Sequence, residues 1–216
     1  MSIDSNMTNQ REEQSFHYNS LTIYLHHEVY EPAEDTFLLL ESISVIPGQK
    51  ILEIGSGTGI ISLSYASQGA EVICSDINPH AIKIIQRNIQ ENHSQLKGSI
   101  EVRTGNLFDI LHKDERFDII IFNPPYLPTT NEDKKGMSEW YTRSFDGGET
   151  GLQVTTRFLK ECKRFLKKDG HVYIIISSFS KQENITRLLE EITLKHQVIN
   201  KLRCDDEILY VYRFTP

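Results

Sequence analysis

The chain has 216 residues, 38% of them hydrophobic and 25% charged, which suits one soluble globular domain with a proper core. A formal charge of −7 denies it the general pull on phosphate backbones that nucleic-acid binders use, so nucleic acid is the less favoured partner. No run approaches the ~18 apolar residues that span a bilayer and no signal peptide is visible, so no membrane role is expected.

Three cysteines, Cys74, Cys162 and Cys204, are odd in number and widely spaced, without a C-x-x-C pair. That pattern fits reduced thiols in a cytoplasmic protein, with no disulfide framework and no metal site. Residues 1–15 are polar and are expected to form a disordered or loosely attached tail, leaving 16–216 as the folded domain. From Leu21 to Tyr30 apolar and polar residues alternate, as in an extended lead-in or short strand. His26-His27-Glu28 lies within it, but adjacent side chains on a strand point to opposite faces, which argues against a metal.

Tyr30-Glu31-Pro32-Ala33-Glu34-Asp35-Thr36 leads into the apolar run Phe37–Leu40, with Ile43 following. Pro32 and the acids suit the first turn of a helix, and on these residues alone plain capping is the better reading. Pro47-Gly48 is expected to close that helix. Ile51–Ile54 then reads as a short buried strand, Gly55-Ser56-Gly57-Thr58-Gly59 as a glycine turn and 60–67 as a helix. Such a turn lets a ligand approach the backbone, with helix N–H groups pointing at it. Asp76 ends a second strand over 71–75, where an acid is placed to bond ribose hydroxyls; the rival role is N-cap to a helix over 79–93. The dinucleotide fingerprint asks for glycine where Ile60 stands, and no phosphate-cradling G-x-x-x-x-G-K-[ST] is present. An adenosine ligand without a pyrophosphate fits better, and S-adenosylmethionine, whose ammonium and sulfonium are cationic, gives Glu53 a part.

Ile82, Ile85 and Ile89 repeat at helical spacing and read as core. A third strand over 100–103 ends in Gly105-Asn106-Leu107-Phe108, where Asn106 can bond an adenine edge and Leu107 can cover the ring, though a plain turn explains them equally well. A fourth strand over 117–122 must stop at Asn123-Pro124-Pro125-Tyr126, because two prolines cannot continue a ladder. A polar residue at the carboxyl end of a central strand faces the ligand crevice of an open α/β sheet. The Asn123 amide, the proline carbonyls and the Tyr126 ring suit a planar NH2 group. The polar stretch 127–149 carries Trp140, Tyr141 and Phe145 and ends in Gly147-Gly148, as a lid or substrate groove would. A helix over 152–165 places Leu152, Thr155, Phe158, Leu159, Cys162 and Leu166 on one stripe, and its terminal lysines and arginine read as a solvated face. Lys168-Asp169-Gly170 turns into a strand over 171–177, followed by a helix over 183–192 and a strand hairpin over 197–203 and 208–214.

This order of elements, with Asn-Pro-Pro-Tyr after the fourth strand, resembles a class I S-adenosylmethionine-dependent methyltransferase. The resemblance implies a Rossmann-like seven-stranded doubly wound α/β sheet with an antiparallel last strand. Val29-Tyr30-Glu31-Pro32-Ala33-Glu34-Asp35-Thr36 narrows it to the short HemK-like glutamine N5-methyltransferases of archaea and eukaryotes, which modify the Gly-Gly-Gln loop of the class I peptide-release factor. By that resemblance Thr36, Glu53, Gly55, Asp76, Asn106, Leu107 and Asn123 line the cofactor, with Gly57, Gly59 and Ile77 beside them. Asn123, Pro124, Pro125 and Tyr126 form the catalytic motif, and Phe145, Gly147 and Gly148 the substrate lip. Asn106 stands where relatives often have aspartate, and Phe145 where they often have tryptophan. Eukaryotic members work with a small zinc-binding activator subunit. Two rivals are a base-directed N-methyltransferase, since a flipped base also offers a planar NH2, and a non-catalytic scaffold, against which intact Gly55, Asp76 and Asn123 weigh.

Overall fold

A computed structural model describes residues 14–130 and 132–216. Seven strands form the central sheet: β3 (Lys50–Ile54), β4 (Glu71–Asp76), β5 (Ser99–Thr104), β6 (Phe117–Phe122), β7 (Leu166–Ser177), β8 (Lys195–Cys204) and β9 (Glu207–Thr215). Their order is β5-β4-β3-β6-β7-β9-β8, with β9 antiparallel to both neighbours and the pairs from β5 through β7 parallel. The chain winds outward from β3 to β5 and then returns to the other side of β3 with β6. That reversal is the switch point at which open α/β sheets bind ligands. Register places the key residues side by side: Ile54 pairs with Ser75 and with Phe122, so Gly55, Asp76 and Asn123 emerge together at the carboxyl edge.

Alternate residues of the inner strands feed two cores. Leu52, Ile54, Ile120 and Phe122 pack against α5 (Gln153–Cys162) and α6 (Gln182–Glu191); Ile51, Ile119 and Ile121 pack against α1 (Glu34–Ser42) and α2 (Ile60–Ser67). Burial on both faces is why these strands read as unbroken apolar runs. The stripe expected from Leu152 to Leu166 is buried throughout, but α5 ends at Cys162 and, after a single tighter turn, Leu166 already opens β7.

A two-stranded hairpin, β1 (Ser15–Tyr18) with β2 (Leu21–Tyr24), stands outside the sheet. Two asparagines on α3 (Pro79–Glu91) and just beyond it hold β2 as a partner strand would. Asn88 accepts from the Tyr24 amide at 2.9 Å and donates to the Tyr24 and Thr58 carbonyls; Asn92 accepts from the Thr22 amide and donates to its carbonyl. The α3 stripe therefore centres on Ala81, Ile84, Ile85 and Asn88, with Ile82 and Ile89 only half-buried.

Several expected boundaries move. The tail expected over 1–15 lies outside the described residues except at its end, where Gln14 already accepts from the Leu25 amide and Ser15 opens β1. Helix α1 stops at Ser42, before Pro47-Gly48, because Ile43 is extended. His26 and His27 lie past β2 in a turn, where their rings stack at 4.6 Å and do not oppose each other. Strand β7 begins at Leu166, with 167–170 looped out opposite Asp118, whose carboxylate anchors Lys167 at 2.7 Å.

Candidate active site

A cleft of about 400 Å³ opens at the carboxyl edge between β3 and β6. Its floor is the glycine turn. Gly55 has φ +63°, and a Cβ there would lie 3.2 Å from the Phe122 ring, so only glycine fits without strain. Gly57 donates its N–H to Asp76 Oδ2 at 2.9 Å, locking the turn onto β4. Gly59 lies off the cleft: it opens α2 in the left-handed region and packs against Ile85, so its role is helix–helix approach.

Asp76 also accepts from the Asn78 amide at 2.8 Å, and Asn78 itself caps α3 through the His80 amide. The N-cap role therefore falls to Asn78, and the half-buried Asp76 carboxylate keeps lone pairs for a ligand. Burial raises its pKa, partly offset by the Asn78, Gly57 and Ile77 amides. Glu53 is buried at the cleft floor, where Ser62 donates to its carboxylate, and desolvation pushes it up to about 8. Ile77 lines the cleft with 42% of its surface exposed, an uncovered apolar side chain of the kind a flat ring covers. On the same wall Asn106 opens a short turn without capping it, and Leu107 has φ +49°. A leucine in the left-handed region is strained by roughly 1–2 kcal/mol, the kind of cost found where a binding site fixes the backbone.

Asn123 leaves β6 facing the cleft, and its Oδ1 is buried without a hydrogen-bond partner. A buried acceptor left unmet costs about 1–3 kcal/mol and calls for a donor. Pro124, Pro125 and Tyr126 line the cleft beside it, and the Tyr126 hydroxyl donates to Asp35 Oδ2 at 3.0 Å. Thr36 also lines the cleft, joined to Tyr126 through the Asp35 carboxylate. Helix α4 (Glu139–Phe145) supplies Trp140, Arg143 and Phe145 to the rim. Its N-cap Ser138 donates to Glu28, tying this rim helix to the segment after β2. Gly147 and Gly148 do not line the cleft. Gly147 donates to the Leu127 carbonyl and Gly148 accepts from the Thr129 amide, so they fasten the rim loop to the chain after Tyr126.

The residues gathered here fit an adenosine-bearing cation. Asp76 suits ribose hydroxyls, Ile77, Leu107 and Asn106 suit a base, and the buried Glu53 carboxyl suits an ammonium. Among the described residues no group of three His, Cys, Asp or Glu side chains could hold a metal. No helix among them is long and apolar enough to cross a membrane. Tyr30, Asp35, Arg143 and Arg157 also line the cleft but were not marked as site residues by the sequence. The Val29–Thr36 octet was the available signal for Tyr30 and Asp35; a lone arginine on an exposed helix face gives none.

Strand order, the reversed β9 and this cleft define a class I S-adenosylmethionine-dependent methyltransferase fold. Residues 22–140 match the family described as Methyltransferase small domain, and the chain belongs to that family. It is 37% identical over 192 residues to a candidate protein N5-glutamine methyltransferase of Methanocaldococcus jannaschii, covering 88% of this chain and 93% of that one. It is 31% identical over 196 residues to Methyltransferase HEMK2 of Homo sapiens, covering 87% and 90%. Among solved structures, the Mtq2-Trm112 complex of E. cuniculi, which methylates the termination factor eRF1, superposes with a TM-score of 0.65 over 87% of this chain and 98% of that one. At 20% identity that last likeness is one of fold.

Proposed function

We propose that the protein transfers a methyl group to the side-chain amide nitrogen of a glutamine, in the Gly-Gly-Gln loop of a class I peptide-release factor. The observation that carries this reading is the buried, unpaired Oδ1 of Asn123. S-adenosylmethionine, held by Glu53, Gly55, Asp76, Ile77, Asn106 and Leu107, supplies an electrophilic methyl group when bound. Asn123 Oδ1 and the Pro124 carbonyl accept the two hydrogens of the substrate NH2. An amide nitrogen is a weak nucleophile because its lone pair is delocalised. Gripping both hydrogens orients that nitrogen, so positioning and fixed dipoles carry the rate; the N–CH3 bond would form as the donor's S–CH3 bond breaks, and the methylated nitrogen, then cationic and strongly acidic, would lose a proton to water without a strong general base. Tyr126 packs its ring against the amide, with Phe145 at the lip.

The name of the Methanocaldococcus jannaschii relative supports the glutamine assignment, and the solved complex, described as methylating eRF1, supports the release factor and, through Trm112, a small activator subunit. We take that subunit to be zinc-binding. The free thiols of Cys74, Cys162 and Cys204 support work in the cytoplasm. The test offers labelled S-adenosylmethionine with release factor, its Gln-to-Asn loop variant and nucleic acid, each with and without activator. Label should enter the release factor alone and stay out of the Asn variant. Labelling of nucleic acid in its place would favour the base-directed rival.

A further inference from the structure

The sequence gives Asp35 a place in the first turn of a helix and in the Val29–Thr36 octet but no role of its own, and the structure gives it one. Its carboxylate is 2% exposed and lines the cleft. Four donors converge on it. Oδ2 accepts from the hydroxyls of Tyr126 at 3.0 Å and Tyr30 at 3.2 Å; Oδ1 accepts from the Thr36 amide at 2.6 Å and the Thr36 hydroxyl at 3.1 Å. The N-cap of α1 is Ala33, which makes no side-chain cap bond, and Glu34 already supplies a first-turn acid. Helix capping therefore does not account for Asp35.

The Tyr126 bond joins residues 91 positions apart and ties the Tyr30–Thr36 segment to the Asn-Pro-Pro-Tyr turn. The backbone of Tyr126 is fixed independently. A Cβ on Gly151 would lie 2.3 Å from the Tyr126 carbonyl, and the Leu127 amide donates to Phe145. With the main chain held at one end and the hydroxyl at the other, the ring has one orientation. The hydroxyl is committed to Asp35, which leaves the ring for the substrate.

We infer that Asp35 is a positioning residue for methyl transfer, holding the Tyr126 ring against the target amide and fixing Thr36 of the donor wall with its other oxygen. The inference rests on the proposed glutamine reaction. Its chemistry demands a carboxylate: an asparagine at 35 has one acceptor oxygen for two pairs of donors, and its NH2 would face a donor on whichever side it took.

The test compares wild type, Asp35→Asn, Tyr126→Phe and the double variant for kcat and KM on the glutamine-bearing release factor, with S-adenosylmethionine affinity measured by direct binding. Misplacing a reacting group by an ångström costs up to about 100-fold, so Asp35→Asn should lower kcat at least about tenfold, with donor affinity changed no more than about threefold. Tyr126→Phe should lower kcat similarly, and the double variant should be no worse than Asp35→Asn alone, since both changes cut the same bond. Full kcat in Asp35→Asn, or losses that multiply in the double variant, would overturn the positioning role. Should Asp35→Asn not fold, Tyr126→Phe decides alone, because it keeps the ring and removes only the bond; full kcat there overturns the inference. A wild type that leaves the release factor unmethylated would contradict the proposed reaction itself.

Discussion

Among the carboxyl groups lining the cleft, Asp35, Glu53 and Asp76 have partners that set what each can do. Asp35 is saturated by hydroxyls and an amide, Asp76 holds the glycine turn, and Glu53 sits in low dielectric with a serine. Burial pushes Glu53 from 4.5 to about 8. The folded chain keeps a proton that an unfolded chain releases near pH 4.5, so this group's contribution to stability is complete below pH 4.5 and is lost as pH rises through about 8. A bound ammonium favours the ionised form. S-adenosylmethionine should therefore bind more tightly as pH rises from about 6 to 8, with release of a proton. Titration calorimetry in buffers of different ionisation heat reads that proton; pH-independent affinity without proton release would contradict the role of Glu53. At this scale the sequence pointed to residues that the structure gathers in the cleft and that local chemistry marks: the glycine turn, the acid ending β4 and Asn123 before its prolines. It marked Asp35 only as a member of the Val29–Thr36 octet and could not reveal its role, because a buried carboxylate is defined by partners that only the fold brings near. It also drew Gly59, Gly147 and Gly148 toward the ligand, when their neighbours are Ile85, Leu127 and Thr129.

Among the elements, the inner strands were the most legible, since burial on both faces writes a continuous β-branched run. Strands β3, β4 and β6 begin and end within a residue or so of expectation. Of the β1–β2 hairpin the sequence offered only the second strand, as an alternating stretch from Leu21; β1, whose residues alternate between exposed and half-buried, was hidden, and so was the anchoring of β2 by asparagine side chains where a sheet would use a strand. Asn88 is 0% exposed, so replacing it by Ala strands the Tyr24 amide and the Tyr24 and Thr58 carbonyls. Asn88→Ala should cost about 2–4 kcal/mol, seen as a lower denaturant midpoint at unchanged slope, with faster amide exchange across β2. A loss under about 0.5 kcal/mol, the scale of an ordinary surface change, would mean that α3 does not anchor the hairpin.

Across the whole molecule, strand order turns scattered sequence signals into one site. Because β6 returns to the side of β3 opposite β4, Asn123 lies beside the glycine turn, and Tyr126 reaches the octet that runs into α1. The excess of acid seen in composition reappears locally as Asp35, Glu53 and Asp76 lining the cleft, a setting suited to a cationic donor and a neutral amide acceptor. The most direct measurement is turnover and donor binding by Asn123→Ala with release factor as substrate. Removing the unpaired carboxamide should lower methyl transfer by about 100- to 1,000-fold while S-adenosylmethionine affinity stays within about threefold of wild type. Turnover close to wild type would contradict the assignment of Asn123 as the group that grips the substrate nitrogen.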